Sequence, residues 1–127
     1  MPRVVNIDGR DFRTLVEFFE VIGAALIPGE RWGKNLDAFN DILCWPLARD
    51  PEAYLLVWRR SNQSRRRLNH GAAAQYWQEV IRIGGGKPSA WQAEQLARAV
   101  RCEGPTAFDW IVEIIKRHPD WLSLRLE

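Results

Sequence analysis

Two aspartates stand four positions apart in the segment ERWGKNLDAFNDIL, residues 30–43. On a helix, Asp37 and Asp41 fall on one face and repel each other by roughly 0.2–0.5 kcal/mol when exposed. The helix dipole favours Asp37 in the first turn, whereas Asp41 gains nothing locally. Paired carboxylates can serve as general acid and base, or they can bind a cationic partner. No third catalytic group accompanies them, so the pattern favours a binding anion over an enzyme.

The segment around the two aspartates predicts a short amphipathic helix over residues 35–44. Its apolar positions follow helical spacing and predict a buried stripe: Leu36, Phe39, Ile42 and Leu43. Asn40 shares the outer face with Asp37 and Asp41. Asn35 is a favourable N-cap residue, and Gly33 before it can adopt a tight backbone.

Length and composition predict one globular domain. The chain has 127 residues, is 46% hydrophobic and carries a net charge of +2. It contains neither an apolar run of membrane-spanning length nor a secretion signal, so we expect a cytoplasmic protein without a membrane partner. Cys44 and Cys102 are expected to be reduced and buried. His70 and His118 are far apart in sequence, which gives no metal-ligand spacing, so neither metal nor cofactor is expected.

The charge is divided unevenly along the chain. Residues 1–58 contain six basic and nine acidic side chains, whereas residues 59–127 contain twelve basic and seven acidic ones. Five arginines cluster beside Trp58: Arg59, Arg60, Arg65, Arg66 and Arg67. Arginines next to an aromatic ring can hold a nucleic-acid backbone and stack a base, although a solvated basic loop has the same composition. A small RNA-binding or protein-interaction module is therefore the alternative function.

The order of predicted elements is β-α-α-β-α-α-α-β. Strands are predicted over residues 3–7, 53–59 and 121–127, and helices over residues 12–23, 35–44, 71–83, 90–102 and 107–117. Asp11 is a candidate cap of the first helix, which Gly23 is expected to close, and the polar residues 61–70 are interpreted as a loop. On the helix over 90–102, four residues are expected to face inward: Trp91, Leu96, Ala99 and Val100. Strands separated by helices predict an α/β fold with a parallel sheet.

The stretch from residue 32 to residue 43 resembles the loop and helix of the barstar family, small intracellular inhibitors of a secreted bacterial ribonuclease. The family pattern is aromatic-G-x-N-L-D-A-L-x-D-x-L. Eight residues match it in register: Trp32, Gly33, Asn35, Leu36, Asp37, Ala38, Asp41 and Leu43. The strand that ends in Val57-Trp58-Arg59 and the last helix and strand, residues 108–126, are also similar to the family.

This resemblance implies a three-stranded parallel sheet packed by helices in a single domain, residues 1–127, with a helical insertion over 61–104. It also implies that the acidic helix and its loop enter a ribonuclease active site, where carboxylates replace RNA phosphate. By position, Asp41 is the principal phosphate mimic and Asp37 the second anion. Trp32, Gly33 and Asn35 belong to the loop that closes on the enzyme. The expected partner is a ribonuclease toxin, with no nucleic-acid partner and a monomeric free protein.

Three positions depart from the family pattern. Arg31 stands where the family often has an aromatic residue, Lys34 replaces an acid, and Asn40 replaces an aromatic residue. These differences predict a target other than the founding ribonuclease, because such residues set the specificity of an interface. The predicted partner-binding residues are Arg31, Trp32, Gly33, Lys34, Asn35, Asp37, Asn40 and Asp41.

Overall fold

The computed structural model describes residues 3–44 and 53–127, and its centre is a parallel sheet. The strands β1 (Arg3–Asp8), β2 (Tyr54–Arg59) and β3 (Leu122–Leu126) pair in the order β1-β2-β3. Because β2 is the central strand and is largely buried, its sequence is nearly continuously apolar. The predicted three-stranded parallel sheet is confirmed.

Helices make up most of the rest of the described chain. They are α1 (Leu15–Leu26), α2 (Leu36–Cys44), α3 (Ser61–Arg67), α4 (His70–Ile83), α5 (Ala90–Val100) and α6 (Ala107–Lys116). A short 3-10 helix, Gly9–Asp11, follows β1. In the part of the chain that the structure describes, none of these helices is long and apolar enough to cross a membrane. The architecture is an α/β fold, as the sequence predicts.

The core is organised around the indole of Trp58, which is fully buried on β2. Its ring centroid lies 5.5 Å from that of Phe18 on α1, 5.0 Å from that of Phe108 on α6 and 5.9 Å from that of Phe12. Its Nε1–H donates a 3.0 Å hydrogen bond to the hydroxyl of Ser64 on α3. One side chain of the central strand therefore contacts three helices.

Helix α3 corrects the interpretation of residues 61–70 as a loop. Its inward positions are Ser61 and Ser64 rather than apolar residues, so hydrophobic periodicity does not reveal it. Arg60, in the left-handed region at φ 52°, turns the chain from β2 directly into this helix. Ser61 Oγ–H donates to the carbonyl of Glu127 at 2.9 Å, so α3 is tied to the C-terminal residue after β3.

Helix α1 differs from its predicted limits at both ends. Its N-cap is Thr14, whose hydroxyl accepts the N–H of Glu17 at 3.1 Å, and not Asp11. The helix passes through Gly23 and ends at Leu26. A Cβ at Gly23 would lie only 2.6 Å from Nε1 of Trp32, so this glycine makes room for an indole rather than ending the helix.

Helices α4 and α5 form a hairpin that leaves the core and returns to it at nearly the same place. The N–H of Phe108 donates to the carbonyl of Leu68 at 2.9 Å, and Nε2–H of His70 donates to the carbonyl of Gly104 at 2.9 Å. The hairpin packs through small side chains that contact Leu96 and Trp110: Ala73, Ala74 and Ala99. The insertion over 61–104 stays a prediction, and the burial of α3 in the core favours a start after Leu68.

Two residues that were expected to face inward from α5 are exposed. Trp91 keeps 62% of its surface accessible and Val100 keeps 64%, because the buried contacts of this helix are made by Leu96 and Ala99. The cysteines are free, as expected, but both Cys44 and Cys102 are exposed rather than buried.

Replacing Ser64 by alanine is expected to lower the free energy of unfolding. The substitution leaves the buried N–H of Trp58 without its acceptor, which costs about 1–3 kcal/mol. Urea unfolding of Ser64→Ala and of the exposed control Ser123→Ala measures this. Equal stabilities of the two variants would contradict the role assigned to the hydrogen bond.

Candidate functional site

The loop before α2 sets where this helix begins. Asn35 is its N-cap, since Oδ1 accepts the N–H of Ala38 at 2.7 Å, as the sequence predicts. The left-handed residue is Lys34, at φ 50°, and not Gly33, which corrects the prediction of a tight backbone at the glycine. Gly33 is required for a different reason, because a Cβ there would lie 3.0 Å from the Cβ of Ala38. The glycine thus lets the loop lie against the first turn of α2.

The core contacts of α2 fix the direction of its acidic face. Phe39, Ile42 and Leu43 are buried, and the ring of Phe39 lies 5.6 Å from that of Phe18 in an edge-to-face contact. Asp37 and Asp41 are consequently exposed. Within residues 3–44 and 53–127, neither carboxylate has a cation within salt-bridge distance, and no group of three or more potential ligands could hold a metal ion.

Both aspartates border an open groove of about 590 Å³ between α2 and the helices α4, α5 and α6. Its opposite wall carries aromatic side chains: Tyr76, Trp77, Trp91 and Trp110. These rings contact one another edge to face, with centroid separations of 5.2 Å between Trp77 and Trp91 and 5.9 Å between Trp77 and Trp110. The acidic face therefore forms one side of a groove whose other side is aromatic.

The pKa of the Tyr76 phenol, on one wall of the groove, is affected by the charge of Asp37 on the other wall. Burial, together with the negative charge of Asp37, raises the pKa of Tyr76 above 10.0. The phenol therefore stays protonated and neutral, and can donate a hydrogen bond at the edge of the groove.

The loop before α2 borders a second concavity, of about 410 Å³, between α1 and α4. Its lining includes Gly33, Lys34 and Asn35. Tyr76 and Val80 of α4 line both this concavity and the groove beside the aspartates. A partner that enters both concavities therefore passes over α4.

Asn40 is only partly available to a partner. It is half-buried, and its Oδ1 accepts Nε2–H of His118 at 3.0 Å, which links α2 to the end of α6. Nearby, at the C-terminal end of α6, the guanidinium of Arg117 forms a 3.1 Å salt bridge with Glu113. Both ions of this pair line the groove, where their charges offset each other.

Two predicted site residues lie on the side of the loop toward α1. Trp32 is half-buried against Gly23, and its ring lies 5.7 Å from that of Phe19. The ammonium of Lys34 forms a 3.0 Å salt bridge with Glu20 of α1 rather than with Asp37. Arg31 is exposed. The predicted set is thus divided between the groove and the α1 side.

The sequence did not single out the aromatic wall as part of a site. Trp91 was expected only as an inward-facing residue of its own helix. The available signal was compositional, since three of the seven tryptophans lie within residues 77–110.

A small α/β domain that presents a capped acidic helix and its loop to solvent has the features of a protein-binding inhibitor. The family model described as Barstar (barnase inhibitor) matches residues 2–95, and the chain belongs to this family. The match covers β1 to β2, α3, α4 and part of α5. The family assigns the chain to ribonuclease inhibitors in general. None of the curated proteins matches the sequence.

Replacing Asn35 by alanine is expected to destabilise the start of α2. Loss of the cap leaves the N–H of Ala38 without its acceptor and costs about 1 kcal/mol. Asn35→Asp keeps an acceptor and is the matched control. Thermal unfolding of both variants measures the difference, and equal midpoints would show that the cap does not hold this helix.

Stability is expected to fall as the pH decreases through the titration of His118. Burial, and then the charge of Arg117, lower the pKa of His118 below 6.5. Between the folded pKa and 6.5 the unfolded chain binds more protons, so acid favours unfolding. Urea unfolding at about pH 7.5 and about pH 5 should show a smaller loss for His118→Gln than for the wild type. Identical losses would contradict the assignment.

Proposed function

We propose that this protein is a cytoplasmic immunity protein that inhibits a bacterial ribonuclease toxin and is not itself an enzyme. Asp41 acts as the principal mimic of an RNA phosphate, and Asp37 supplies a second anion. The observation that carries the proposal is that a member of this family exposes both carboxylates without a salt-bridge partner in the described residues. The protein acts in the cytoplasm because the RNA that it protects is there.

The electrostatics of α2 support this role. Holding Asp37 and Asp41 on one exposed face costs the free protein only roughly 0.2–0.5 kcal/mol. In a nuclease cleft, where cationic side chains bind phosphate, the same charges gain charge-assisted hydrogen bonds. They also accelerate encounter with a cationic partner. The arrangement is therefore slightly unfavourable alone and favourable in the complex.

The target differs from that of the founding inhibitor in this proposal. Asn40, in place of an aromatic contact residue, bonds to His118, and Lys34 and Arg31 add positive charge beside the acidic face. The Lys34 ammonium is held against α1 by Glu20, so it does not neutralise Asp37. A partner with an acidic rim around its cationic cleft fits this pattern.

The alternative of RNA binding by the basic cluster is weakened by the contacts of its arginines. Arg60 forms a salt bridge with Asp8, and Arg67 donates to the carbonyl of Gly9 at 3.1 Å. The guanidinium of Arg65 lies over the ring of Phe108, 4.5 Å from its centroid. Three of the five arginines thus serve the fold. The inhibitor is expected to show no salt-dependent affinity for free RNA in filter binding.

Asp41→Ala is expected to abolish protection while leaving the fold intact. In the complex the substitution leaves phosphate-binding cations buried without a partner, at a cost of about 3–5 kcal/mol, or roughly 100-fold or more in affinity. The assay is RNA cleavage by a neighbouring ribonuclease, meaning a nuclease encoded by an adjacent gene that co-purifies with this protein after co-expression.

The matched control for Asp41→Ala is Asp11→Ala, which removes an exposed carboxylate from the 3-10 helix after β1. It should inhibit like the wild type. The proposal would be refuted by an Asp41→Ala protein that blocks the ribonuclease as strongly as the Asp11→Ala protein.

A further inference from the structure

The aromatic wall of the groove comes largely from the α4–α5 hairpin. Trp77 lies on α4 and Trp91 on the first turn of α5, and their rings meet at 90°. Trp91 keeps 62% of its surface exposed although it is the largest side chain on its helix. Exposed aromatic surface next to a charged strip is unusual for a solvated helix and is typical of an interface.

The two walls together define the chemistry of an occupant. Asp37 and Asp41 offer carboxylates without salt-bridge partners in the described residues, whereas Arg117 is already paired with Glu113 at 3.1 Å. An arginine side chain complements both walls, because its planar guanidinium binds carboxylate in a bidentate manner and stacks on aromatic faces. A lysine ammonium would satisfy the acidic wall but lacks the flat surface that matches an indole.

We propose that the groove between α2 and the α4–α5 hairpin receives an arginine carried by a projecting segment of the target ribonuclease, with Asp37 and Asp41 on one side of the guanidinium and Trp77 and Trp91 on the other. This inference rests on the proposed function and extends it to the hairpin. The hairpin then contributes to specificity, because a target without such a segment contacts the hairpin without filling the groove.

The position of α4 supports this assignment. Tyr76 and Val80 line both the groove and the concavity beside Gly33–Asn35, so a partner that contacts the loop and Asp41 also contacts α4. The neutral phenol of Tyr76 adds a hydrogen-bond donor at the same edge. The hairpin therefore stands within the surface that the inhibitor presents.

A first experiment tests the occupant without the ribonuclease. A capped glycine-arginine-glycine tripeptide is titrated into the protein while the indole N–H resonances are followed by NMR. Saturable shifts are expected at Trp77 and Trp91 and not at the buried Trp58. The shifts should disappear in Asp37→Asn and persist in Asp11→Asn. The matched probe is the same tripeptide with citrulline, which keeps the shape of arginine without its charge.

Equal shifts with the citrulline peptide, shifts that survive Asp37→Asn, or the absence of saturable shifts at Trp77 and Trp91 would each overturn the inference. Saturable shifts specific for arginine support it even where the wild type fails to inhibit the neighbouring ribonuclease. That failure would count against the proposed function alone.

A second experiment places the hairpin in the complex. Trp91→Leu should weaken inhibition of the neighbouring ribonuclease roughly tenfold, whereas Trp91→Phe should retain most of it, because only the ring interacts with the guanidinium. Val100→Ala is the matched control, since Val100 is similarly exposed on α5 at 64% and does not line the groove. Circular dichroism checks that each variant is folded.

The inhibition results distinguish the inference from the function on which it rests. If Asp41→Ala loses inhibition while Trp91→Leu inhibits like Val100→Ala, the hairpin is outside the interface and the inference fails although the function stands. If Trp91→Leu and Trp91→Phe weaken inhibition equally, the ring does not stack on a cation and the arginine is excluded. The double variant Asp37→Asn/Trp91→Leu should lose less than the two single losses combined, because both residues contact one side chain.

Discussion

The burial of Trp58 at the middle of the central strand is the contact on which the rest of the structure depends. Its indole packs on Phe18 and Phe108 and donates to Ser64, so α1, α6 and α3 are positioned by one side chain. Phe18 in turn contacts Phe39 of α2. Because Phe39 is held inward, the opposite face of α2 must point to solvent. The direction of the two carboxylates is therefore a consequence of aromatic packing, and it needs no local signal of its own.

The charge on that face stays uncompensated because the neighbouring positive side chains are paired elsewhere. Lys34, only three positions from Asp37, pairs with Glu20, and Arg117 pairs with Glu113 on α6. Surface pairs of this kind contribute little to stability, about 0–1 kcal/mol. These pairs instead affect the electrostatic field around the aspartates, because each pair neutralises a cation that would otherwise screen the two carboxylates. A half-enclosed groove also weakens solvent screening, which strengthens any charge interaction made inside it.

Features that depend on interactions between residues close in sequence could be predicted, and features that depend on distant residues could not. The strands, the amphipathic stripe of α2 and its Asn35 cap are encoded within a few residues, and the prediction was correct for them. Helix α3 was missed because its inward positions are serines that bond to β2 and to the C-terminal residue. The limit of α1 was wrong because Gly23 makes room for the indole of Trp32, a residue that is close in space but distant in sequence. Predicting the groove would have required the relative positions of α2 and of the helices α4–α6, and no local sequence pattern encodes these positions.

The α4–α5 hairpin places a second wall beside the acidic helix without disturbing the sheet. Leu68 and Phe108 stand at the two ends of the hairpin and are joined by a backbone hydrogen bond of 2.9 Å. The packing of the core is therefore almost continuous across the hairpin. The two helices of the hairpin lie beside α2 and leave its acidic face open, although they enclose it on one side. Under the proposed function, this groove favours a partner whose cations project on a narrow segment, and the hairpin then takes part in recognition together with the acidic helix that it faces.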